Sequence, residues 1–114
     1  MAVVKDLFFV ARIRETARLV GTELSFARTP EELAGVLDGG KPDLVLIDLT
    51  TPGWDYEAFF STLEAKAPAV PVLGYTTHAL ARQTQPLHGH CERVVTKEAL
   101  TQELGIILRD GIAA

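Results

Sequence analysis

The chain has 114 residues, 47% of them hydrophobic and 23% charged, which is the balance of one ordinary globular domain spanning 1–114 and excludes a disordered or collagen-like polymer. A net charge of −4 argues against direct nucleic-acid binding, which relies on clustered cations to neutralise phosphates. The single Cys91 excludes an internal disulfide, no apolar run approaches the ~20 residues of a membrane span, and the N-terminus lacks a basic-then-apolar leader, so a cytoplasmic location away from membranes is expected.

Apolar runs of strand length alternate with helical patterns along the chain. Leu7 to Val10 reads as strand one, followed by a helix in which Ile13, Ala17 and Val20 recur at helical spacing before Gly21 closes it. Glu23 to Ala27 alternates polar and apolar residues, as an edge strand with one wet face does. Thr29-Pro30-Glu31-Glu32 then opens helix two, with Thr29 as N-cap, Pro30 in the first helical position and Glu32 closing a capping box, and Gly39-Gly40 ends it. Leu44 to Ile47 is apolar on both faces, the pattern of a central parallel strand, and stops at Asp48. Asp55 caps the next helix, whose stripe is Phe59, Phe60 and Leu63, and Ala67-Pro68 stops it before strand four, Val70 to Tyr75. Between Thr76 and Glu92 the pattern predicts one short helix broken by Pro86 and a longer loop through Gly89. Strand five is Arg93 to Val95, and Thr96 caps a last helix carrying Leu100, Leu104, Ile107 and Leu108. Five strand–helix units of this size suit a flavodoxin-like, doubly wound parallel sheet of order 2-1-3-4-5 between two helical layers. In such sheets the chemistry sits outside the carboxyl ends of the strands.

The segment Lys41-Pro42-Asp43-Leu44-Val45-Leu46-Ile47-Asp48-Leu49-Thr50-Thr51-Pro52-Gly53 resembles the third strand and phosphorylation loop of bacterial response-regulator receiver domains. By that resemblance Asp48 matches the phosphoacceptor, Pro52 the loop proline, and Asp55 the acidic residue that precedes a glycine, replaced here by Tyr56. Pro71-Val72-Leu73 leading through Tyr75 to Thr76 resembles the fourth strand and its switch hydroxyl. In the family two acidic residues at the end of strand one bind magnesium, and a lysine at the end of strand five meets the phosphoryl group. Counted from Leu7–Val10, the acidic pair falls on Ala11 and Arg12, while Asp6 precedes the strand and Glu15 lies in the helix. The lysine position falls on Thr96, with Lys97 one residue later. Magnesium needs hard oxygen ligands, and phosphoryl transfer needs the cation's charge, so the resemblance implies a receiver without its metal centre. Arg12 either pairs with Asp48 as a built-in cation or points into solvent.

His88-Gly89-His90-Cys91 holds ligand residue types in no recognised zinc spacing, and reads as a solvated loop. Cys91 reads as a small, partly buried thiol rather than a nucleophile. Trp54, Tyr56, Phe59 and Phe60 crowd one short region, so either at least one of them stays exposed as an interface anchor or Trp54 caps the carboxyl edge of the sheet. Glycine-rich phosphate loops and nucleophile elbows are absent from the sequence. The expectation is an atypical receiver with no catalytic residue and no cofactor, docking to a kinase, a scaffold, a DNA-binding regulator or a second copy of itself. Tyr75, Arg93, Leu100 and Gln102 are expected near the docking face. The alternative is a receiver phosphorylated on Asp48 with magnesium.

Overall fold

The computed structural model describes residues 1–112. Five parallel strands, β1 (Ala2–Val3), β2 (Phe26–Ala27), β3 (Val45–Asp48), β4 (Val72–Thr76) and β5 (Arg93–Thr96), hydrogen-bond in the order β2-β1-β3-β4-β5. Between and after them run α1 (Leu7–Leu19), α2 (Leu33–Asp38), α3 (Tyr56–Lys66), α4 (Ala81–His88) and α5 (Lys97–Asp110). This is the expected flavodoxin-like sheet.

Strand alternation sends successive side chains into two cores. Val45, Ile47 and Val72 pack with Leu33, Leu37, Phe59, Phe60 and Leu63 under α2 and α3. Leu46, Leu73 and Tyr75 pack with Phe9, Val10, Ile13, Leu100, Leu104 and Ile107 under α1 and α5. The same alternation puts Asp48, in phase with Leu46, on the α1/α5 side and Thr76, in phase with Val72, on the opposite side. The two polar ends of adjacent central strands therefore diverge.

Strand one is not Leu7–Val10. The strand is Ala2–Val3, and Leu7–Val10 is the first turn of α1. A continuous apolar run of this length satisfies strand and helix patterns alike, and capping decides between them. Asp6 Oδ1 accepts from the amides of Phe8 at 2.9 Å and Phe9 at 3.3 Å, which starts the helix there. Phe9, Val10, Ile13 and Ala17 then form the buried stripe, leaving Leu7 60% and Phe8 90% exposed.

Other boundaries shift for local reasons. Strand β2 is confined to Phe26–Ala27. Thr29 makes no side-chain cap, and Glu32 Oε2 instead accepts from the Arg28 amide at 2.6 Å, so the expected capping box does not form. Pro30 does open the turn, a single 3-10 turn over Pro30–Glu32 that leads into α2. Pro86 does not break α4. The helix continues to His88, because the one backbone bond lost, to the Arg82 carbonyl, lies on an exposed side and the helix ends two residues later. Asp55 caps α3 through the Ala58 amide and Thr96 caps α5 through the Ala99 amide, as expected.

Candidate functional site

Asp48 is the last residue of β3 and is buried. Its carboxylate is occupied by the loop that follows. Oδ1 accepts from the Thr50 amide at 2.8 Å and the Thr50 hydroxyl at 2.6 Å, and the Thr51 hydroxyl donates to Oδ2 at 3.3 Å. Two hydroxyl residues placed two and three positions after an aspartate are a local turn signal, and it was legible in the sequence. The loop is then tied from the far side. Tyr56 Oη donates to the Asp48 carbonyl at 2.8 Å and accepts from the Thr51 amide at 3.0 Å. Burial pushes the Tyr56 phenol up to about 12, and the Asp48 charge adds to this. Gly53, at φ +83°, supplies the left-handed turn between Pro52 and the cap of α3.

Because β1 ends at Val3, the positions that follow it are Val4, Lys5 and Asp6, not Ala11 and Arg12. Ala11 and Arg12 lie exposed in α1, and among the described residues no ion pair joins Arg12 to Asp48. The cation at this edge comes from elsewhere. Lys97, the first residue of α5, places Nζ 3.4 Å from Asp6 Oδ2 and 4.7 Å from the centre of the Phe9 ring. The Phe9 and Phe8 amides and the Lys97 ammonium hold the Asp6 carboxyl below the usual carboxylate range. Thr96 spends its oxygen on capping α5.

Tyr75 is 1% exposed, packed edge-on to Phe9 with ring centres 5.1 Å apart. Its hydroxyl lies near the Asp48 carboxylate but finds no hydrogen-bond partner in the protein. Burial first, and the Asp48 charge second, raise its phenol far above the ordinary range. A buried hydroxyl without a partner costs stability, so Tyr75→Phe is expected to raise the urea unfolding free energy by about 1 kcal/mol. A loss of stability in that variant would instead mean that the hydroxyl bonds to Asp48 in solution.

Thr76 is buried, and its Oγ1 lies 3.0 Å from the Thr84 hydroxyl oxygen, within hydrogen-bond distance. Thr84 in turn lies 2.9 Å from His88 Nε2. Neither Thr84 nor His88 was expected to take part. Tyr75 and Leu100 are core residues and line no surface, Arg93 pairs with Glu103 at 3.3 Å, and Gln102 is exposed.

The His88–Cys91 segment disperses its groups. His88 turns to Thr84, His90 stacks on Phe60 with centres 4.8 Å apart, and Cys91 packs beneath Gly74. Burial pushes the Cys91 thiol up to about 11. Since alkylation proceeds through the thiolate, iodoacetamide at pH 8 is expected to modify Cys91 about 100-fold more slowly than an exposed cysteine. Mass spectrometry over time reads this, and a rate equal to that of a small thiol would show the site to be open. Phe59 and Phe60 are both buried, and Trp54 and Tyr56 pack half-buried over the same core.

A magnesium ion takes oxygen ligands in nearly octahedral geometry. Here both Asp48 oxygens accept bonds from their own loop, and Asp6 is divided between the α1 cap and Lys97. Among the described residues no three His, Cys, Asp or Glu side chains gather as a metal site. The donors as arranged do not fit the ion. Among the described residues, no helix is long and apolar enough to cross a membrane.

The sheet order is that of the flavodoxin-like fold shared by response-regulator receiver domains. The receiver domain of the sensor histidine kinase PA1611 of Pseudomonas aeruginosa, solved with magnesium in its active-site cleft, is 20% identical with a TM-score of 0.79, over 99% of this chain and 95% of that one. The receiver domain of NtrX from Brucella abortus is 15% identical with a TM-score of 0.81, over 99% and 97%. The chemotaxis response regulator CheY4 of Vibrio cholerae is 18% identical with a TM-score of 0.75, over 94% and 95%. No family model and no curated protein matches the chain. At these identities the likeness establishes the fold and assigns no role to a side chain.

Proposed function

We propose that the chain is an atypical receiver domain of bacterial two-component signalling, cytoplasmic and without turnover of its own, whose output is docking to a protein partner independently of phosphorylation. The observation that carries this reading is that Asp48 is engaged by its own loop, its two oxygens accepting three bonds from Thr50 and Thr51. These donors take three of the roughly four lone-pair sites of the carboxylate, so a phosphoryl group or a metal competes with the loop for Asp48. Lys5 stands beside Asp6 where the resemblance calls for a second acid, and a resident ammonium, Lys97, meets Asp6 in place of a divalent ion. The partner is a kinase, a scaffold, a DNA-binding regulator or a second copy of the chain.

One observation favours the phosphorylatable alternative. Asp48 ends β3 and Asp6 follows the adjacent β1, so two carboxylates do stand at one edge. Amide NMR of the purified domain, titrated with magnesium and beryllofluoride, separates the readings. Unchanged spectra on folded protein are expected. Saturable shifts around Asp48 and Thr76 that disappear in Asp48→Asn would establish the phosphorylatable reading instead.

A further inference from the structure

The buried Thr84 hydroxyl has three neighbours: Thr76 Oγ1 at 3.0 Å, His88 Nε2 at 2.9 Å and the Ala81 carbonyl at 3.2 Å. It has a single proton to give, and the Ala81 carbonyl only accepts. The imidazole nitrogen is either a donor or an acceptor according to the tautomer. This proton count admits three arrangements, two with a proton on Nε2 and one without. With a proton on Nε2, His88 donates to Thr84, and Thr84 gives its own proton to Thr76 or to Ala81. In the first case the Thr76 proton is free to point away from α4; in the second Thr76 keeps its contact by donating to Thr84. With Nε2 bare, the imidazole accepts from Thr84, and Thr76 keeps its contact only by donating to Thr84. Its proton is then turned back into α4.

We infer that Thr84 is a positioning residue that couples the direction of the buried Thr76 hydroxyl at the sheet edge to the tautomer of His88 at the far end of α4. Thr76 and Thr84 are both buried, so bulk water does not offer them an easy substitute partner, while His88 is half-buried and open to the surface. A group that binds or donates to His88 from outside therefore acts on Thr76 through two hydrogen bonds. The inference goes beyond the docking reading and does not depend on it, since it holds whether or not Asp48 accepts phosphate.

Long-range ¹H–¹⁵N spectra of the 114-residue chain, recorded where the imidazole is neutral, report the His88 tautomer directly. Thr76→Val, one hydrogen bond further from His88 than Thr84 is, is expected to change the tautomer ratio about three- to tenfold, the fold-change of one net hydrogen bond. Thr84→Ser is expected to keep the wild-type ratio, because it keeps the hydroxyl. In Thr84→Val the added Thr76→Val change is expected to have no further effect. Identical His88 nitrogen shifts in folded wild type and Thr76→Val would overturn the coupling. If Thr84→Val does not fold, the comparison of wild type, Thr76→Val and Thr84→Ser decides the matter alone.

Discussion

Phe59→Ala is expected to lower the unfolding free energy by about 3–5 kcal/mol, the usual cost of emptying an aromatic position in a packed core. Phe59 is 1% exposed and meets Phe60 edge-on with ring centres 5.1 Å apart, beneath the sheet face built by Val45, Ile47 and Val72. Its loss removes buried apolar area and leaves a cavity that α3, held at its start by Asp55, has little freedom to collapse. The matched control is Phe8→Ala, at a position 90% exposed, where a change within about 0.5 kcal/mol is expected. Urea unfolding followed by circular dichroism reads both. Equal costs at the two positions would refute the assignment of Leu7–Val10 to a helix with Phe8 in solvent.

Gly74→Ala is expected to cost about 1–3 kcal/mol, as overpacking of a filled core does. Gly74 lies in the middle of β4, and a methyl group there would come within 2.8 Å of Leu49 Cδ1 and 2.9 Å of Cys91 Sγ. Ala is otherwise the better residue in a strand interior by about 0.5–1 kcal/mol, so a measured loss reports the clash and not the backbone. Combining Gly74→Ala with Cys91→Ala removes one of the two close atoms and is expected to recover part of the stability. The two changes are then non-additive, as neighbours sharing one space must be. Equal stability of Gly74→Ala and wild type would mean that Leu49 and Cys91 yield without cost.

Much of the fold is written in alternation and capping. Strand β3 was found because Val45 to Ile47 is apolar on both faces, and α3 and α5 because Asp55 and Thr96 stand where a helix must satisfy its first amides. The first strand was misplaced because Ala2 to Val4 is so short a run, while the longer run Leu7–Val10 fits either period. Reading Asp6 as an N-cap would have moved the strand back and with it the whole comparison of its carboxyl end, from Ala11-Arg12 to Lys5-Asp6. Asp48 and Thr76 were legible as strand-end residues. The Thr76–Thr84 link was not, because it joins β4 to α4 through a spacing of eight residues that neither strand nor helix periodicity marks, and because Pro86 argued against a continuous helix there.

One of the two edge strands, β2, consists of Phe26 and Ala27 alone. A sheet edge of that length exposes very few unpaired amides and carbonyls on its outer side, too few to template another chain in cross-strand register. The molecule is thereby guarded on that flank against edge-to-edge growth into aggregates, even though its sheet interior is rich in the aliphatic residues from which such assemblies are built.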